Sequence, residues 1–359
     1  MEHLTERLNR RISGRTIDGI ECLVSVLLAI CFAHLLGASN MAWAAFAGYM
    51  VMRGHVVETL SRAILRVVGT MAGGVIALAL IPVAGGSASA NAVFLFVMGT
   101  VTLYGALTTR RSYAWLFFGL TYAMVTLDKL EQPDLAVRSF VETRVLETLA
   151  GTLACVIVSV ASALSLRRFW PAALGAPAQE IRWHPDAARH AAQAGVALAS
   201  LVLLSHFLAL PALSQGAITV MAVMMIPVSG IGTSGFVPVS RRILHRFIGC
   251  IAGAAYALLV LLMVGGHAAG LILGTSLGVV VGRHIENGEH AWRYVGTQFT
   301  LAMLVVLVPD SYDHAVIGPA LERLSGILVG MAVLEPILLL WHLLSPLPAC
   351  WRRRGGNDR

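Results

Sequence analysis

Charge is what this sequence has least of. Asp, Glu, Lys and Arg make up 13% of its 359 residues, and 57% of the chain is hydrophobic. A soluble domain carries roughly 25% charge, so about half of a normal wetted surface is missing. The apolar residues come in runs long enough to cross a bilayer, which takes roughly 17–25 residues per helix. No alternating, turn-punctuated pattern argues for a membrane barrel. The chain therefore reads as all-α, a polytopic helical membrane protein. Cysteine is also sparse. The five cysteines are scattered, with no CxxC pair, which argues against a disulfide framework or a zinc site. Walker, Ser-His-Asp and HExxH patterns are all missing. Direct ATP use and intramembrane hydrolysis are therefore disfavoured, and no enzyme activity, cofactor or metal is implied.

What charge there is leans positive, with a net +7. That balance does not point to nucleic acid, because the arginines sit between apolar segments, where membrane orientation requires them. Twelve candidate spans are readable: 17–37, 41–54, 64–83, 90–109, 112–128, 144–165, 190–210, 214–229, 244–264, 267–282, 292–309 and 320–343. The second, fifth, eighth and tenth are short. Arginines concentrate in alternate loops, and the positive-inside rule places both termini in the cytoplasm. The first span follows Arg7, Arg10, Arg11 and Arg15 and lacks a clear cleavage site, so it reads as a retained helix. The expected organisation is a cytoplasmic segment 1–16, a six-helix unit 17–165, a polar linker 166–189, a second six-helix unit 190–343 and a basic tail 344–359.

One pattern recurs: Arg, Gly three residues on, and a small residue four further. It appears as Arg66–Gly69–Gly73, Arg246–Gly249–Gly253 and Arg323–Gly326–Gly330. A degenerate copy, Thr148–Gly151–Cys155, has Arg144 one turn upstream. The two halves align further. Ala114–Trp115 with Gly119 matches Ala291–Trp292 with Gly296, His34 matches His206, and Glu147 matches Glu322. Six helices per half is even, so the halves share an orientation. The pattern also closes each three-helix quarter, which suggests inverted units nested within each half.

The arginine and both small residues of each copy share one helix face. The glycines Gly69, Gly73, Gly151, Gly249, Gly253, Gly326 and Gly330 read as packing surfaces for a neighbouring helix. An arginine near a helix start opposes the macrodipole and needs an anionic partner. Arg66 and Arg246 lie at cytoplasmic ends, where topology largely accounts for them, and they stay among the substrate-binding candidates. Arg144 and Arg323 lie at periplasmic ends, and either pair with Glu147 and Glu322 or meet an anionic substrate. Glu147, Glu322, His34 and His206 are candidate proton-coupling residues. Tyr122 is a candidate contact for an aromatic ligand. Asp18 and Glu21 are expected to pair with cytoplasmic arginines. Two patterns mislead. Gly230–Gly235 matches GxGxxG without a preceding strand, and His284, Glu286 and His290 share a short loop with no fixed metal geometry.

RVVGTMAGG at 66–74, with SRAIL before it, and its echo SRRILHRFIGCIAGA in the second half resemble the fusaric acid resistance (FUSC-like) family. That family includes aromatic carboxylic acid exporters and is distantly similar to plant aluminium-activated malate channels. The resemblance covers about residues 15–165 and 190–343. It implies proton-driven efflux of small aromatic or other organic acids, with the bilayer, the organic anion, a periplasmic adaptor protein and further copies of the chain as partners. Two alternatives stay open: a passive organic-anion channel, and a non-transport membrane protein that assembles or anchors an envelope component.

Overall fold

The computed structural model describes residues 14–172, 183–232, 235–265, 267–310 and 317–344. The basic residues expected before position 14, linker residues 173–182 and the basic tail from 345 on lie outside the described residues. So do residues 233–234 of the glycine-rich pattern. Among the described residues the fold is all-helical. The first half contains α1 (Gly14–Leu35), α2 (Met41–Val51), α3 (Val56–Ala84), α4 (Ala88–Thr108), α5 (Ser112–Glu131) and α6 (Val137–Leu164). A single 3-10 turn, Leu166–Arg168, follows. The second half contains α7 (Pro185–Phe207), α8 (Leu213–Met224), the short α9 (Val228–Ile231), α10 (Phe236–Val264), α11 (Ala268–Glu286), α12 (Arg293–Leu307) and α13 (Gly318–Leu344).

Each of the twelve expected segments contains a helix, the eighth being broken at 225–227, and among the described residues eight helices are long and apolar enough to cross a membrane. Helices α2, α8 and α12 are shorter, at 11, 12 and 15 residues. At 1.5 Å per residue, an 11-residue helix spans about half of a ~30 Å hydrocarbon core. The expectation that the fifth and tenth segments are short is corrected: α5 runs 20 residues and α11 runs 19, and the short helix beside α11 is α12. The starts of the motif helices are corrected too. α3, α6 and α10 begin at 56, 137 and 236, not at 64, 144 and 244. Hydropathy finds the apolar part of a helix, and these three open with turns carrying Glu58 and Arg62, Arg138 and Glu142, or Arg241 and Arg242.

Helix ends correspond between the halves. α3 ends on Gly85 (φ 57) and α10 on Gly265 (φ 59), each left-handed and each returning its N–H to a carbonyl four residues back. Only glycine adopts that conformation without strain. The short helices are anchored at their starts by carboxylates from the opposite half. The Asp310 carboxylate accepts from Met41 N–H at 2.9 Å, and the Glu131 carboxylate accepts from Leu213 N–H at 2.9 Å. Each satisfies an amide donor that a helix start leaves free.

Packing partners also correspond. α1 lies on α6 as α7 lies on α13, and α3 lies on α5 as α10 lies on α12. α6 lies on α2 as α13 lies on α8. Across the halves, α4 packs on α7 and α1 on α11, while α5 meets α8 and α2 meets α12. Two apolar cores result. One is centred on α4, α5, α7 and α8, and the other on α1, α2, α11 and α12.

Candidate functional site

The short helices and the motif helices enclose a cavity of about 160 Å³ near the centre of the bundle. All four sequence-predicted arginines line it: Arg66 from α3, Arg144 from α6, Arg246 from α10 and Arg323 from α13. Arg242 joins them, and Glu147 is the one carboxylate on the wall. Because α3, α6 and α10 start early, Arg66, Arg144 and Arg246 sit well inside their helices, not at N-termini facing a loop.

The glycine pattern explains how the arginines reach one place. Each motif helix crosses the middle helix of the other triplet in its half. A Cβ at Gly69 would meet the Ala114 carbonyl of α5, and one at Gly73 would lie 2.6 Å from the Phe118 carbonyl. Gly249 and Gly253 face Val295 and Phe299 of α12 in the same way. Gly151 faces Ala44 and Ala47 of α2, and Gly326 and Gly330 face Gln215, Gly216 and Thr219 of α8. All seven expected packing glycines thus sit at backbone-close crossings. The arginine three residues before each intact pair is carried to the inner wall.

The partners of the arginines differ. Arg144 lies 3.1 Å from the Glu147 carboxylate and stands between the rings of Trp43 and Phe140, at 4.7 and 4.8 Å. Arg66 rests on the Phe117 ring at 3.9 Å and donates to the Tyr113 hydroxyl at 3.4 Å. Arg246 donates to Gln298 Oε1 at 2.7 Å and to the Thr219 hydroxyl at 3.3 Å. Arg323 donates to the same Gln298 oxygen at 3.4 Å, over the Phe46 ring at 5.8 Å. Arg66, Arg246 and Arg323 are 3%, 1% and 4% exposed, and none has a carboxylate partner among the described residues. Arg66 Nε, Arg246 Nη2 and Arg323 Nε have no hydrogen-bond partner. A buried cation without a counter-charge is costly, so three on one wall leave a demand for negative charge that no described side chain meets.

Of the two expected structural pairs, only Arg144–Glu147 forms. Glu322 is exposed and faces an outer cavity, because consecutive helical residues point about 100° apart and Arg323 takes the inward direction. Tyr122 does not line the arginine cavity. It is buried in the apolar core, while Phe117, Leu120, Thr121 and Met124 of the same helix face the cavity. His34 and His206 are both exposed and far along their helices, His34 beside a groove between α1 and α11 and His206 against Phe207. Sequence reading missed Gln298 and the rings of Trp43, Phe46 and Phe117. Their only signal was position: Trp43, Phe46 and Met50 are spaced for one face of α2, as Gln215, Ile218 and Ala222 are on α8.

The cavity is continuous in its walls with an outer one of about 590 Å³, and the two share Trp43, Phe46, Met124, Arg144 and Arg323. The outer cavity also holds Asp128, Asp310 and Glu322, from chain segments expected on the periplasmic side. The opposite ends of α1 and α11 are clasped by ions. Arg283 Nε donates to Asp18 at 2.6 Å, Arg167 Nη2 to Glu21 at 2.5 Å, and the Tyr49 hydroxyl to Glu286 at 2.6 Å. Asp18 and Glu21 thus pair with arginines as expected. Glu286, weighed with His284 and His290 as a metal ligand, is engaged with Tyr49, Arg53 and Arg283.

A family model described as fusaric acid resistance protein-like matches residues 28–158 and 231–334. Comparison with curated proteins gives no match, and neither does comparison with solved structures. The matched segments contain all five cavity arginines, Glu147 and Gln298, and cover well over half of the sequence. The chain belongs to the fusaric acid resistance protein-like family.

Proposed function

We propose that this protein exports small organic acids across a bacterial inner membrane, driven by the proton gradient, with the arginine cavity as its substrate site. One observation carries the reading: three buried arginines without carboxylate partners open onto a single cavity that adjoins an outer one. Acid export follows from the family, and the cavity gives it a physical seat. Glu147 is the group through which protons couple, being the one carboxylate on that wall. The corresponding packing of the two halves supports a pair of six-helix repeats, and the arginine-rich alternate loops support cytoplasmic termini.

The test is flux of radiolabelled benzoate in proteoliposomes under an imposed proton gradient. Arg246→Ala and Arg323→Ala are expected to lose flux while still inserting and purifying normally. Wild-type flux by both variants would overturn the reading. A passive anion channel is the second reading, favoured by the excess of positive charge along the cavity wall. Flux that follows voltage and ignores the pH gradient would select it.

A further inference from the structure

We infer that the cavity seats one compact organic anion bearing two negative charges, held at one end by Arg246 and Arg323 and at the other by Arg66. This rests on the anion-transport reading and narrows its substrate class.

The count of charges comes first. Five arginines and one glutamate line the cavity, and Glu147 is committed to Arg144. Of the other four, Arg242 is only partly buried and lies on the Tyr294 ring, whereas Arg66, Arg246 and Arg323 are almost fully covered and meet no carboxylate among the described residues. Gln298 orients two of them without neutralising either, because an amide oxygen accepts hydrogen bonds but carries no net charge.

These arginines form two seats. Arg246 and Arg323 share the Gln298 oxygen on α12, and each keeps an unpartnered nitrogen, Nη2 and Nε. That is a two-armed donor set suited to one carboxylate. Arg66 belongs to the other half, is pinned on Phe117 of α5, and keeps its own Nε unpartnered. A monocarboxylate in either seat leaves a buried cation bare in the other. A dianion answers both.

The rings do not compete for this role. Phe117, Phe46 and Trp43 already carry Arg66, Arg323 and Arg144 on their faces, the rest of the wall is largely aliphatic, with Leu116, Leu120, Ile218 and Leu301, and the polar groups it leaves unmet are arginine N–H donors. Size sets the upper limit. A cavity of about 150 Å³ accommodates benzene, so about 160 Å³ suits one ring or a short chain with its carboxylates.

The experiment is isothermal titration of the purified full chain at neutral pH with benzoate and phthalate, which share a ring and differ by one carboxylate. Phthalate is expected to bind at least about tenfold tighter, one per chain. Arg66→Gln is expected to bring phthalate down to the affinity of benzoate, so that the preference for the second carboxylate is lost. Benzoate binding as tightly as phthalate, two benzoates per chain, or an equal loss of both ligands in Arg66→Gln would each overturn the dianion seat while leaving anion transport intact. If neither acid binds and neither is transported, the transport reading falls with it. Comparison of the two ligands on the wild-type chain needs no variant to fold.

Discussion

Gln298 is the residue on which the charge of the site turns. It touches Arg246 and Arg323 through one oxygen and is 2% exposed. Gln298→Glu keeps the shape and supplies the missing counter-charge. Such a pair inside a bundle satisfies itself and has little left for a ligand. The variant is expected to melt no lower than wild type in detergent and to lose anion affinity by at least about tenfold. Retained affinity would mean that the anion is held elsewhere. Glu147 poses the complementary question. Glu147→Gln removes the only carboxylate from the cavity wall and leaves the arginines in place. Substrate counterflow is expected to persist, while the response of net flux to a pH gradient disappears. A variant that still follows the gradient would remove Glu147 from the coupling route.

The elements carry the glycine pattern. The crossing of α10 on α12 is close enough that a Cβ at Gly249 would stand 2.6 Å from the Val295 carbonyl and 2.7 Å from the Gln298 side chain. Gly249→Ala therefore pushes on the backbone of α12 and displaces Gln298 with it. Overpacking of this kind costs about 1–3 kcal/mol. Gly19 in α1 is the control, since nothing lies within 4 Å of its Cβ position. Gly19→Ala is expected to leave the melting temperature unchanged or raise it, in line with the better helix propensity of alanine. Thermal unfolding of the two variants side by side checks the contrast. Equal melting temperatures would show that the α10–α12 crossing gives way without cost.

At the scale of the whole molecule, the two seams between the halves are unequal. The α4–α7 seam is closed by small residues, with Gly99 against Leu198 and Gly195 against Phe96 and Thr100. The α1–α11 seam opens on its outer side into a groove of about 460 Å³ and is clasped on its inner side by Asp18 and Arg283. Arg283 is 2% exposed and also donates to the Met52 carbonyl at 3.0 Å, which ties the end of short α2 to the same clasp. Arg283→Ala leaves the Asp18 carboxylate with only the Asn287 amide and Arg167 at 3.8 Å, so the cost falls below the roughly 3–5 kcal/mol of a buried charge left wholly unpaired. The expected result is a drop in melting temperature, with Arg283→Lys rescuing only part of it because lysine lacks the two-armed fork. Full rescue by lysine would reduce the clasp to a matter of charge alone.

The twelve helical segments, the packing role of the glycines, the Arg144–Glu147 pair and the partners of Asp18 and Glu21 were all legible from the sequence. Apolar run length, residue spacing along one helix and charge sign are local quantities, and a chain in a bilayer must satisfy its backbone within each helix. Helix starts were legible only to within two turns, because charged first turns fall outside any hydropathy window. Other features lay beyond the sequence. Arg66 and Arg246 looked like loop-end charges explained by topology, yet they share a wall with Arg144 and Arg323. Tyr122, His34, His206 and Glu322 looked equal to the arginines as candidates, yet they face away from that wall. Which side of a helix faces inward depends on the helices it crosses, and those crossings join segments from about 45 to more than a hundred residues apart. The sequence by itself determined a helical membrane protein with a recurring Arg-Gly face. Only tertiary packing decided that the four faces meet around one positively charged cavity, because a shared counter-charge is a property of the assembly and not of any one segment.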